Sequence, residues 1–447
     1  MRKIKDFFLK HGRYIFIFIL IFLIYEFFGY GITFGDPIGN YGFSYAIKNG
    51  QIPYLDFNII TTPLYAFIMS LGLHVFDNYL MFILEQSLLV TIMFYFLYKI
   101  YDKKSYIILF VLIFFGFYGI LPTYNFCCMF MMVILLYLEE NHGNKDILIG
   151  LFIGFSILSK HIVGCFFLLP TIIMYFKNYK KVLKRISGVF IIGLLFIVYL
   201  LSNGAFLDFI NLCFGGLFDF GANNTNLFNG IFFVSFILLG IMIYILIKDR
   251  QNIKNWYLVF SFMFVVPLFD LPHFGLFAGC FAMAILPYIK IKNINYVGNL
   301  CISLIIVICL INLRMGLSYE PMFMESKRFN YTLNSSYSNN QNIAVDKYIK
   351  KYDEPLLISY HKMFYDISNG NELDYYNVLM YGNFGYNGID RMIEDINKMS
   401  NKYIIVDMNS YLKTGEHEQF AKEIAKYDID NFELVDEEYG FAVYYKK

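Results

Sequence analysis

Disulfide frameworks, zinc sites and a cytosolic nucleotide-binding domain are all missing from this 447-residue chain. Its cysteines form no C-x-x-C pair; Cys127, Cys128, Cys165, Cys280, Cys301 and Cys309 lie in apolar runs, Cys213 lies in a loop, and residues 326–447 have none. Such spacing excludes a stapled secreted scaffold and a zinc ribbon. Charge is scarce at 16% of residues, the net charge is only +1, and residues 326–447 carry no basic patch to suggest nucleic acid. No internal repeat is visible, which weakens a transporter reading, because many transporter folds are built from repeats. No small-residue cleavage site follows the apolar run 14–30, so that run reads as an uncleaved first span rather than a signal peptide.

What remains is apolar. The chain is 58% hydrophobic and 20% aromatic, with a mean hydropathy of +0.53. That composition fits a multi-span membrane protein and no soluble globular domain. Eleven apolar runs are apparent, at 14–30, 79–98, 105–121, 126–138, 147–158, 161–176, 186–201, 228–247, 256–269, 275–289 and 296–313. Nineteen of the 22 Lys and Arg residues before position 325 fall in six short gaps: 1–13, 99–104, 139–145, 177–185, 248–254 and 290–295. Basic loops stay cytoplasmic, so these gaps set the threading. A twelfth run, Pro63–Phe76, would break that pattern as a full crossing and is read as a re-entrant or interfacial helix. The longest gap between spans, 177–185, is too short for an inner domain of the usual ~100 residues.

The expected architecture is therefore an α-helical polytopic membrane protein of the cell envelope, with about eleven spans and a cytoplasmic N-terminus. Its membrane domain covers residues 1–313 with a first outer loop at 31–78, and a Ser- and Asn-rich linker follows at 314–341. Residues 342–447 read as a small α/β extracytoplasmic domain, with helices at 342–351, 389–398 and 418–427 and strands at 356–359, 403–406, 433–435 and 442–445. The division shows in the charge: 22 basic against 16 acidic residues up to position 325, then 14 against 19.

The first outer loop is the richest stretch. Asp36 follows the outer end of the first span, a short amphipathic helix runs over Asn40–Asn49, and Pro53-Tyr54 ends it. A carboxylate at the membrane rim can accept a proton from an incoming hydroxyl; the plainer role for such an Asp is to cap the following helix. The pattern of an acid after the first span, Tyr41-x-x-x-Tyr45-Ala46, Gly50-x-x-Pro-Tyr-x-Asp-Phe and then Pro63-Leu64 resembles the GT-C class of membrane glycosyltransferases. That class includes protein O-mannosyltransferases and aminoarabinose transferases of lipid A. The resemblance covers the first third of the chain well, the middle loosely and the tail hardly at all.

The resemblance implies an outer-loop acid as the catalytic residue, here Asp36 with Asp56 as second choice, and a sugar donor carried on a polyprenyl phosphate. Tyr41 and Tyr45 join the substrate-binding set. The class usually presents an acid in its second outer loop, where this chain has Leu121-Pro-Thr-Tyr-Asn125. Asn125 can hold a hydroxyl or a sugar but can neither act as a base nor neutralise a metal. The implied mechanism is metal-independent or weakly metal-dependent, with a divalent metal the one cofactor left open.

Lys160, in Gly154-Phe-Ser-Ile-Leu-Ser-Lys-His-Ile-Val-Gly, is one of three basic residues before position 325 outside the cytoplasmic gaps. A cation at that depth is costly unless paired, so it is a functional candidate by default. A lipid phosphate is its natural partner, with His161 as companion; a snorkelling lysine is the alternative. Asp270-Leu-Pro-His273 closes an outer hairpin, and His273 can donate to a departing phosphate or simply sit at the interface. Glu85 enters the second span about 9 Å deep and offers itself as a partner for Lys160. Asp208 and Asp219 sit among aromatics and read as an interfacial anchor. The expected partners are a polyprenyl-phosphate sugar, a glycan, lipid or protein acceptor, and membrane lipids. A flippase of lipid-linked glycans and a membrane-anchored glycan-binding protein are the rival functions.

Overall fold

In the computed structural model the described residues are 2–27, 36–115, 119–224, 228–266, 268–316, 339–359, 362–400, 402–408 and 419–447. Most of the proposed linker and residues 31–35 of the outer loop lie outside them. The chain divides into two compact units. The first comprises Met1–Tyr41, Thr61–Val198 and Asn226–Pro321; the second comprises Gly42–Ile60, Tyr199–Thr225 and Met322–Lys447.

The first unit is helical. Each of the eleven apolar runs contains helix, and among the described residues four stretches are long and apolar enough to cross a membrane: Tyr79–Phe114, Tyr179–Ser202, Gly230–Lys248 and Leu271–Tyr288. This falls short of eleven spans, and several of the remaining helices are short or broken. The Ser105–Phe114 helix has ten residues, Ile253–Phe260 has eight before tightening into a 3-10 turn, and Lys160 interrupts the chain between Asp146–Ser159 and His161–Phe166. Ten residues rise about 15 Å, against a hydrocarbon core of about 30 Å. The Leu64–Leu73 helix, within the run read as re-entrant, is equally short.

Burial sorts these helices. Tyr124–His142 hides 13 of its 19 residues and forms the centre. Gly230–Lys248 buries only Ser235, Met242, Ile245 and Leu246, and exposes Phe233, Ile237, Tyr244 and Ile247. So much contiguous exposed apolar surface is tolerable against lipid and costly in water. The Asp146–Ser159 and Tyr179–Ser202 helices cross nearly backbone to backbone: a Cβ on Gly150 would lie 2.0 Å from the Arg185 carbonyl oxygen, and one on Gly188 would lie 2.3 Å from that of Ile147. Small residues permit this approach, the usual device where water supplies no drive for helix association.

Contacts and a shared groove link residues in and beside the six basic gaps. Arg185 pairs with Glu139 and Asp146, Lys181 donates to the Gly143 carbonyl at 2.9 Å, and Lys254 meets Glu140 at 3.0 Å. The Tyr288 hydroxyl reaches Asp249 at 2.8 Å, and Lys104 donates to the carbonyls of Leu286 and Ile289 at 2.6 and 3.0 Å. Arg13, Lys103 and Asn295 line a common groove.

The second unit holds a four-stranded sheet in the order β1-β2-β4-β3: β1 is Leu356–Ile358, β2 Tyr403–Asp407, β3 Glu433–Glu438 and β4 Phe441–Tyr445. β1 and β2 are parallel, and the other pairings are antiparallel, with Ile405 opposite Val443 and Leu434 opposite Tyr444. Side chains alternate between faces as strand geometry requires. Leu356, Ile358, Ile404 and Val406 pack with Met392, Ile396, Phe420 and Ile424 of the Gly388–Lys398 and Gln419–Asn431 helices. Leu357, Ile405 and Val443 pack on the other side with Ala344, Val345 and Tyr348 of the Asn339–Lys351 helix. A Lys362–Ser368 helix that the periodicity did not signal completes the unit.

The unit also takes in two segments from between the apolar runs. The Gln51 side chain donates to the Leu373 carbonyl at 2.6 Å and accepts its N–H at 3.0 Å, and the Asn377 amide donates to the Asn58 carbonyl at 3.2 Å. Asp219, expected as an interfacial anchor, instead accepts the Gly388 N–H at 3.1 Å, where a helix N-terminus favours an anion. Asp208 lies 3.7 Å from Arg391 on the same helix. Asp56 accepts the Ile52 N–H at 2.7 Å and steadies its own turn. Tyr45, half-buried, lies 5.8 Å from the Lys48 ammonium across its ring.

Candidate functional site

Lys160 owes its place to a break in the helical path. Its backbone is extended (φ −150°, ψ 97°), and it serves as C-cap of Asp146–Ser159 and N-cap of His161–Phe166. Its N–H donates to Ser156 at 3.0 Å, and its carbonyl accepts from Gly164 at 2.8 Å. Gly164 makes the fold-back possible, because a Cβ there would fall 2.3 Å from the Ile157 nitrogen.

The ammonium is thereby delivered to the first turn of Tyr124–His142. Lys160 Nζ donates to Asn125 Oδ1 at 2.7 Å and lies 5.8 Å from the Tyr124 ring centroid. Thr123 fixes that turn as its N-cap, accepting the Phe126 N–H at 3.3 Å. Two carboxylates, Asp36 and Asp270, act electrostatically on the ammonium, and both also act on the Tyr124 hydroxyl. Residues 36, 124–125, 160 and 270–273 thus converge within the first unit from four distant stretches of chain.

Asp36 is the first residue of the Asp36–Lys48 helix and is exposed; its carbonyl accepts from the Asn40 amide at 2.7 Å. The helix expected over Asn40–Asn49 thus begins at Asp36, which lies in its first turn while its charge acts on the amine. Asp270 is the N-cap of Leu271–Ile285, and one oxygen, Oδ1, accepts both the His273 N–H at 2.9 Å and His273 Nδ1 at 2.7 Å. That bond assigns the Nδ1 proton and leaves Nε2 to act: a lone pair on the neutral ring, an N–H on the imidazolium. His273 is 5% exposed, and Nε2 makes no hydrogen bond among the described residues. A buried nitrogen of this kind calls for a ligand or a water.

Other candidates have different duties. Glu85, offered as a partner for Lys160, instead accepts the Gly72 N–H at 3.1 Å and ties down the end of Leu64–Leu73. Tyr41 is 4% exposed and packs edge-on against Tyr79 and Phe82, with centroids 5.1 and 5.4 Å away. His161 begins the helix after Lys160 and is 8% exposed. Sequence reasoning gave Tyr124 no role and placed Asp270 only in an outer hairpin; the adjacency of Tyr124 to Asn125 and the i, i+3 Asp–His spacing were the available signals. Among the described residues no group of three or more His, Cys, Asp or Glu side chains is placed to hold a metal ion.

No family model matches the chain, and neither the curated proteins nor the solved structures include a match.

Proposed function

We propose that this protein is a membrane glycosyltransferase that moves a sugar from a polyprenyl-phosphate donor to an acceptor hydroxyl on the extracytoplasmic face. The observation that carries the reading is that Asn125, Asp36 and Asp270 all act on one half-buried amine, with His273 held by Asp270. In the proposed threading the linked basic gaps are cytoplasmic and the eleven apolar runs cross, four as long helices and the others as shorter or broken ones. The site then lies at the outer end and the C-terminal unit outside.

The chemistry follows from the groups. Asp36, the exposed carboxylate, removes the acceptor hydroxyl proton as that oxygen attacks the anomeric carbon. The bond from that carbon to the phosphate oxygen breaks, and its electron pair stays on the lipid phosphate. Lys160 balances the growing charge, and the His273 imidazolium donates Nε2–H to the same anion. Asn125 orients the ammonium. The C-terminal unit, which carries its own core, is the candidate acceptor-binding module.

The test compares envelope glycan profiles of cells lacking the protein with cells carrying wild type or Asp36→Asn at equal abundance. The proposal expects a glycan species that only wild type restores. Restoration by Asp36→Asn removes the base assignment, and unchanged profiles in the deletion remove the transferase reading.

A further inference from the structure

The groove beside the basic gaps has no part in the chemistry above, and the inference drawn from it stands whether or not that reading holds. It encloses about 720 Å³, within the usual range for a ligand site. Five separate elements line it: the N-terminal Arg2–Phe27 helix, the end of Tyr79–Tyr101, the Asp102–Lys104 turn, the start of Ser105–Phe114 and the start of Ile294–Gly316.

Its lining has two characters. Arg13, Lys103, Tyr98, Tyr106, Asn295 and Asn299 supply two cations among neutral hydrogen-bonding groups. Phe16, Gly298 and Ile302 supply apolar surface. The Arg13 guanidinium is held over the Tyr98 ring at 4.3 Å, which orders it in advance of any ligand. Lys104 is engaged by the Leu286 and Ile289 carbonyls, whereas its neighbour Lys103 faces the groove. Asp102 interacts with the Tyr98 hydroxyl, as does Arg13, so Arg13, Lys103 and Asp102 together leave one net positive charge. Gly298 keeps the apolar wall open: a Cβ there meets only the Tyr106 ring, at 3.4 Å.

We infer that this groove binds the phosphate of an anionic membrane lipid, with Arg13 and Lys103 on the phosphate and the Phe16–Gly298–Ile302 wall along the first part of the acyl chains. Arginine's planar fork suits a phosphate, and basic pockets between spans at the cytoplasmic face are suited to anionic head groups. The apolar wall is what favours a lipid over free phosphate.

The test uses the full-length protein in phosphatidylcholine nanodiscs, titrated with dioctanoyl phosphatidylglycerol and read by native mass spectrometry. Wild type should retain the lipid, and Arg13→Gln with Lys103→Gln should weaken retention about tenfold or more. Gly298→Leu, which keeps both charges and fills the groove, should weaken it comparably and guards against a double variant that fails to fold. Inorganic phosphate at equal concentration should not displace the lipid. Displacement by inorganic phosphate overturns the lipid assignment, and wild-type retention in Gly298→Leu overturns the site.

Discussion

Among the described residues of the first unit, Arg185 is buried and Lys160 is half-buried, and the two cations are treated in opposite ways. Arg185, 0% exposed, is saturated: Nη1 and Nη2 form a fork on Glu139, Nε donates to Asp146 at 3.0 Å, Nη1 also meets Thr171 at 3.2 Å, and the Tyr175 ring lies 4.6 Å away. Glu139 is itself steadied by the Tyr257 hydroxyl at 3.2 Å. Lys160 donates to one neutral amide, and the nearby carboxylates act through space. An ammonium has three donors, and among the described residues one of them is engaged. In the second unit Lys362 follows the Arg185 pattern, with Asp366 at 2.7 Å and Asp374 at 2.8 Å. A cation whose partners are all in place holds structure together; one left short of them is available for function.

The comparison breaks most visibly at the carboxylate beside the open cation. Asp36→Asn should lower sugar transfer about a thousandfold, within the range removed with a general base, and leave thermal stability within about 0.5 kcal/mol. A variant equally active per folded molecule makes Asp36 a helix cap. Next comes the saturated centre. Arg185→Met should destabilise the protein by about 3–5 kcal/mol because it strands buried Glu139, measured as the midpoint of thermal unfolding in detergent. Transfer per folded molecule should hold. Gly150→Ala, which presses the same helix crossing apart, should cost about 1–3 kcal/mol in the same assay.

The smallest effect concerns pH and lies in the second unit. Burial holds the Asp428 carboxyl well above its usual range, and both its oxygens lack partners among the described residues. Burial also pushes Asp366 up to about 6, although Lys362 opposes it. A carboxyl raised in the folded state binds its proton more tightly there than in the unfolded chain. Stability is therefore full below about pH 4 and declines as pH rises through the folded values. Hydrogen exchange of the Gln419–Asn431 helix should show protection falling from pH 4 to 7, and Asp428→Asn should flatten the part of the slope that Asp428 causes. An identical slope in the variant would remove Asp428 from the explanation.

Much of the second unit was legible in the chain. Short apolar runs at 403–406 and 442–445 and helical spacing in 389–398 locate elements within a few residues of Tyr403–Asp407, Phe441–Tyr445 and Gly388–Lys398. The Lys362–Ser368 helix escaped because seven residues are too few for a periodic signal. In the first unit the apolar runs announce helices but not their breaks, since Phe, Ile and Leu fill interrupted and continuous helices alike. Lys160 was legible as an isolated charge in an apolar setting. Its pairing was not: Glu85 suited it by depth, but Asn125, Asp36 and Asp270 come from other elements, and only the fold brings them to it. Arg185 looked like one more basic-gap residue, because its burial depends on the glycine-mediated crossing with Asp146–Ser159.

The account rests on the open cation being kept for a lipid phosphate, and direct binding of polyprenyl monophosphate to the full-length protein in nanodiscs tests it. Lys160→Ala should weaken that binding at least tenfold with little loss of stability, while Asp36→Asn binds as wild type does and fails only in transfer. Undiminished binding in Lys160→Ala, or a collapse in stability of the Arg185→Met kind, would make Lys160 a structural residue and contradict the account.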